Sequence, residues 1–125
     1  MSKKQSKNLL ESVESLVGEN AIVEGTITTD KVIRIDGKIT TGNINAFGVV
    51  VGQKAEIVGD IETKNIIISG LVKGNINASE TIEVLPQANI FGDIKANILS
   101  IAQGACFYGK SAMTIKENSG GDKKE

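Results

Sequence analysis

Histidine and tryptophan are missing from this sequence altogether, and there is one proline, one tyrosine, one cysteine and only three phenylalanines. Each shortage excludes something. Without histidine there is no Ser-His-Asp or Cys-His engine, no imidazole metal site and no ordinary general base at neutral pH. The shortage of aromatic residues removes the platforms on which nucleic-acid bases stack. A lone Cys106 can form neither an internal disulfide nor a structural zinc cage. Charge is balanced as well: 14 basic and 15 acidic residues are interleaved to a net −1, leaving no basic stripe for a nucleic-acid groove. The opening MSKKQSKNLLESVESLVG holds no continuous apolar run of the kind a signal peptide or membrane span requires, so a reducing cytoplasm is the expected compartment.

What remains is mostly aliphatic and glycine-punctuated. The 125 residues suffice for one domain, and they include 18 Ile, 10 Val and 14 Gly. A unit of the form small-x-apolar-x-Gly-x-Ile recurs at Ala21–Ile27, Ala55–Ile61, Gly70–Ile76 and Ala88–Ile94, with a looser copy at Ile39–Ile44 and a last one at Ala105–Gly109. Its glycines, residues 25, 42, 59, 74, 92 and 109, follow one another at near-constant intervals. Such a period marks a repeat architecture.

Between successive glycines sits a second alternating pair: Ile33/Ile35, Val49/Val51, Ile66/Ile68, Ile82/Val84 and Leu99/Ile101. Each repeat therefore contains three short extended pieces with inward side chains two apart, joined by corners of Gly, Asn, Asp, Ala and Ser. Three sides and three corners make one coil of a β-solenoid. The spacing predicts an all-β, single-domain, three-sided parallel β-helix of about six coils. A lone coil of about 17 residues cannot bury its Ile and Val, whereas coils stacked ~4.8 Å apart pair every strand and build apolar columns. A mixed α/β domain or antiparallel sandwich explains neither the spacing nor the lack of 3.6-residue periodicity from residue 21 to 115.

The ends read differently. Residues 1–17 are expected to be a flexible tail, with Leu9, Leu10, Val13, Leu16 and Val17 near one face if the stretch coils as a helix. Lys3, Lys4 and Lys7 beside Leu9 and Leu10 make a weak candidate contact for an anionic membrane surface, which a polymer would multiply. Residues 18–115 are expected to form the β-helix and 116–125 a disordered tail. No amphipathic helix follows the last repeat to cover its open cross-section. The expectation is an interface: Phe107, Leu99 and Ile101 at the C-terminal end and Ile22, Val23 and Ile27 at the N-terminal end join subunits end to end.

Several motifs carry less than they promise. Gly104-Ala-Cys-Phe-Tyr-Gly109-Lys110-Ser111 matches the phosphate-loop pattern, but the mechanism needs a following helix, and Ala112–Ile115 leads into a polar tail. Asp36, Asp60 and Asp93 adjoin corner glycines and align with Asn43 and Asn75; turn chemistry accounts for them without a metal. Cys106 falls on the outward parity between Ala105 and Phe107, with no group to activate it. No catalytic, cofactor or metal residue is assigned.

The runs Ile35–Ile44 and Ala55–Ile61 and the close Gly104–Met113 resemble the bactofilins, bacterial polymer-forming cytoskeletal proteins, over about residues 15 to 113. That resemblance implies a right-handed triangular β-helix and filaments formed without nucleotide through the terminal coils. It also implies association with the cytoplasmic membrane and a scaffold for other proteins, among them cell-wall-remodelling enzymes, that influences cell shape. The rivals are a left-handed hexapeptide-type acyltransferase or related carbonic anhydrase, which depend on histidine, and a monomeric surface-binding solenoid. The latter wants a regular outward array, and Thr28-Thr29 and Thr40-Thr41 do not recur.

Overall fold

A computed structural model describes residues 13–113, which form fifteen strands and, among the described residues, no helix. The first coil comprises β1 (Val13–Val17), β2 (Ile22–Glu24) and β3 (Ile27–Thr28). The second comprises β4 (Val32–Ile35), β5 (Lys38–Thr40) and the first half of β6 (Ile44–Val51). The second half of β6 opens the third coil, which continues through β7 (Glu56–Val58) into β8 (Ile61–Ile68). In the same way β8 leads through β9 (Leu71–Lys73) into β10 (Ile76–Val84), and β10 leads through β11 (Asn89–Phe91) to β12 (Ile94–Ala96). The last coil is β13 (Ile98–Ile101), β14 (Cys106–Tyr108) and β15 (Ser111–Met113).

Every coil adds one strand to each of three parallel ladders. The first ladder runs β1, β4, the closing halves of β6, β8 and β10, then β13. The second runs β2, β5, β7, β9, β11, β14. The third runs β3, the opening halves of β6, β8 and β10, then β12 and β15. Because side chains alternate across a strand, in-register pairing converts each inward position into a column. On the second ladder the column is Val23, Ile39, Ile57, Val72, Ile90, Phe107. On the third it is Ile27, Ile44, Ile61, Ile76, Ile94 and then Ser111. The interior members are buried in one continuous core. Each contributes roughly 1.5–3 kcal/mol of apolar burial.

The coil starts earlier than the expected boundary at residue 18. Val13–Val17 is a strand paired to β4, with a register shift between Val13 and Ser15. Helical spacing in this stretch loses because so short a helix cannot recover its nucleation cost, while pairing satisfies the backbone and buries Val17. Leu9 and Leu10, like residues 114–125, lie outside the described residues.

The corners come in two lengths. Between the first and second ladders, coils one, three, five and six make four-residue turns closed by Ala21 N–H to Gly18 O, Ala55 to Gly52, Ala88 to Leu85 and Ala105 to Ala102 at 3.0–3.3 Å. Coils two and four cut that corner with Asp36-Gly37 and Ser69-Gly70 alone. A Cβ on Gly37 would strike the carbonyl oxygens of Gly18 and Ala21, and one on Gly70 those of Gly52 and Ala55. Short corners nest against long ones.

At the next corner Gly42, Gly59, Gly74, Gly92 and Gly109 stack so closely that a Cβ on any of them would meet the carbonyl oxygen of the glycine one coil earlier. Gly59 also has φ 148°, in the region that favours glycine. The looser second repeat solves this corner differently: the positive φ falls on Thr41, at 50°, where a β-branched residue is strained. Gly59→Val is expected to cost about 3–5 kcal/mol, from the sum of backbone strain and overpacking. Lys64→Ala, which removes only an exposed ammonium 5.9 Å from the Phe47 ring centroid, should cost under about 1 kcal/mol. Thr41→Asn should gain about 1 kcal/mol by relieving the left-handed strain. Urea unfolding of dilute protein would check the ranking, which fails if Thr41→Asn destabilises.

Candidate self-association surface at the two end coils

The columns stop where the coils stop. At one end Val23 and Ile27 are half-buried, and at the other Ile101, Ala105 and Phe107 are half-buried; all five pack against the same core as the interior residues. Edge strands β2 and β14 bound the second ladder. Each end thus offers a row of aliphatic or aromatic side chains belonging to the core, framed by strand backbone. These half-buried side chains and the edge strands beside them are the candidate surface for a second copy of the chain.

Of the six residues expected at these ends, Val23 and Ile27 lie together on the N-terminal section, and Ile101 and Phe107 on the C-terminal one. Two are placed otherwise. Leu99 is already covered within the chain, at 1% exposure. Ile22 stands on the outer side of β2, opposite in parity to Val23, so it faces away from the section. Sequence reasoning missed β1, which brings Ser15 and Val17 to the N-terminal section in register with Ile33 and Ile35. The clue was present: Val17-Gly18-x-x-Ala21 repeats as Val51-Gly52-x-x-Ala55. The candidate membrane contacts Lys3, Lys4, Lys7, Leu9 and Leu10 lie outside the described residues.

The corner carboxylates and amides are engaged in the backbone. Asn43 Oδ1 accepts from Asp60 N–H at 3.3 Å, Asp60 Oδ1 from Asn75 N–H at 3.0 Å, Asn75 Oδ1 from Asp93 N–H at 3.1 Å, and Asp93 Oδ1 from Lys110 N–H at 3.1 Å. Each side chain caps the amide of its counterpart one coil on, and the row ends at Lys110, which has no acceptor oxygen. Asp36 accepts instead from Arg34 Nε at 2.9 Å; this hydrogen bond raises the guanidinium pKa above its ordinary value, against the opposing effect of partial burial. No group of three His, Cys, Asp or Glu gathers among the described residues in a way that could hold a metal ion. Gly104–Ser111 spans β14 and the start of β15, so the phosphate-loop pattern belongs to strands and their corner. No helix among the described residues is long and apolar enough to cross a membrane.

Stacked parallel coils with one core continuous from the first described coil to the last define a parallel β-solenoid. Comparison with known proteins gives the class a family. Residues 15–112 match the bactofilin family model, described as polymer-forming cytoskeletal. Bactofilin BacO of Myxococcus xanthus (strain DK1622) is 34% identical over 103 residues, which cover 82% of this chain and 82% of BacO. Bactofilin BacP of the same organism is 30% identical over 99 residues, covering 79% of this chain but 41% of BacP. The fold matches a Thermus thermophilus bactofilin, solved by cryo-EM as double helical filaments, with a TM-score of 0.76 and 25% identity over 81% of this chain and all of that one. The chain belongs to the bactofilins, a family of self-assembling cytoskeletal proteins. The acyltransferase and monomeric-binder rivals are not favoured.

The capping row makes a prediction of its own. Asp93→Ala, which leaves the Lys110 amide without its acceptor at an exposed corner, should lower stability by about 0.5–1.5 kcal/mol. Asp93→Asn keeps the oxygen and should restore most of it. Thermal unfolding of the pair would check this, and equal loss in both would rule out the cap as the cause.

Proposed function

We propose that this bactofilin builds filaments end to end through its terminal coils, without nucleotide, and serves as a scaffold that positions cell-shape proteins. The supporting observation is that one apolar core runs the length of the solenoid and reaches both ends through half-buried Val23 and Ile27 on one side and Ile101 and Phe107 on the other. Contact between sections buries these residues fully, and the column on the second ladder then continues from molecule to molecule. Nucleotide has no part in the reading because Lys110 and Ser111, the polar end of the phosphate-loop pattern, sit at a coil corner and in β15.

The finer reading rests on the family and on the N-terminal sequence. Filaments lie at the inner face of the cytoplasmic membrane, where Lys3, Lys4, Lys7, Leu9 and Leu10 of many subunits add weak contacts to anionic lipid. Cell-wall-remodelling enzymes are the proposed clients.

Phe107→Arg tests the central claim. It would place an unpaired charge against the partner's apolar section, where burial is costly. Negative-stain microscopy and sedimentation without added nucleotide or metal should show filaments for the parent chain. For the variant they should show folded monomers or short oligomers, with an unchanged β circular-dichroism spectrum. Persistence of ordinary filaments in the variant would overturn the interface.

A further inference from the structure

The outward sides of β2, β5, β7 and β9 form one face of the second ladder. In-register pairing sorts their side chains into two columns: Ile22, Lys38, Glu56 and Leu71 beside Glu24, Thr40, Val58 and Lys73. Ile22 and Val58 are 64% and 44% exposed, and all four charged groups are exposed. Ion pairs among the described residues join Arg34 to Asp36 and Lys54 to Glu19. None of the four charged groups on this face enters one, although Lys38 and Glu56 are ladder neighbours. The corner beside the first column alternates as well. Four-residue turns closed at Ala21 and Ala55 precede Ile22 and Glu56, whereas the two-residue corners Asp36-Gly37 and Ser69-Gly70 precede Lys38 and Leu71.

We propose that this face takes the same face of a second copy, turned end over end about a two-fold axis lying along the strands between coils two and three. Such an axis keeps each column opposite itself and sets coil one against coil four and coil two against coil three. Ile22 then meets Leu71 of the second copy, Lys38 meets Glu56, Glu24 meets Lys73 and Thr40 meets Val58. Symmetry repeats each contact, and every charge on the face gains an opposite one. Each longer turn also faces a shorter corner. Sliding by one coil in one direction sets Lys38 on its own copy, and sliding the other way sets Glu56 on its own copy; both bring longer turns against longer turns. A parallel arrangement opposes the two columns and places Glu24 on Ile22 and Glu56 on Val58, charge against aliphatic group. Charge and shape thus select one register. Four coils present about 19 Å by 10 Å, or ~200 Å² per copy, against the ~800 Å² per partner of a stable interface. Free subunits therefore stay apart. The inference rests on the end-to-end reading: a filament repeats the face on each subunit, and the summed contacts hold two antiparallel filaments side by side.

Electron microscopy of the full-length chain and its charge variants tests the contact. The parent should give laterally paired filaments that separate as salt is raised from about 50 mM to about 500 mM. Lys73→Glu and Lys38→Glu each set like charges across the face and should lower the paired fraction about tenfold while single filaments persist. Lys38→Glu combined with Glu56→Lys restores the opposition and should restore pairing. Carbodiimide coupling gives a second measurement on the parent. Glu24 and Lys73 stand three coils, about 14 Å, apart in one chain, too far for the direct amide bond this reagent makes. In mixed isotope-labelled and unlabelled filaments at low salt, linked Glu24 and Lys73 peptides should carry both labels. Undiminished pairing in Lys73→Glu, no recovery in the double variant, or no such link in the parent would overturn the contact. Single filaments in the parent would overturn it too, with end-to-end growth left standing. A parent chain that forms no filaments fails that growth and this contact together.

Discussion

Everything in this molecule follows from a coil that cannot bury its own side chains. Three short strands per coil, each with an inward residue or two, leave their aliphatic edges open above and below. Parallel in-register stacking closes them, because the residue that needs cover and the residue that provides it occupy the same position one coil apart. That requirement keeps the inward positions mostly β-branched or small, with Leu99 and Phe107 in the last coil as the larger exceptions. It also forces glycine wherever one corner's backbone must sit directly on the next, as at Gly59 over Gly42. Where the repeat departs from this rule the chain finds another solution, with Thr41 taking the strained conformation in the second coil.

The same requirement decides what could be read from the amino acids. The inward columns were legible because a period of two combined with a recurring glycine leaves one consistent phase. Corners were less so. Gly37 and Gly70 look like ordinary turn residues until the four-residue turns beside them are seen to fill the missing space. β1 was obscured because Leu9, Leu10, Val13, Leu16 and Val17 suit a helical face, and preference for a helix over five residues is weaker than an edge waiting for a strand. Phe107 and Val23 could be placed at the ends by counting repeats, but Leu99 could not be told from them. Its cover comes from three-dimensional packing and not from its own position in the repeat.

Polar residues also answer to the stack. Asp60 and Asp93, which look like metal ligands or catalytic acids in isolation, spend their acceptor oxygens on amides 15 and 17 residues away. An Asn serves the same purpose as an Asp there, which is why the two alternate along the row: the contact needs an oxygen and not a charge. The absence of histidine thus sits beside carboxylates that already have structural partners.

A solenoid with a continuous core has two kinds of surface, and they carry opposite requirements. In the end-to-end assembly proposed above its ends stay apolar for one section to meet another, whereas an apolar side invites contacts at every coil. The second ladder tolerates scattered outward groups such as Val58 and the stacked pair Phe91 and Tyr108, whose ring centroids are 4.8 Å apart. The first ladder concentrates its outward aliphatics in one cluster, and there they are buried. The end-to-end assembly proposed above needs apolar contact concentrated along the axis and not on the sides.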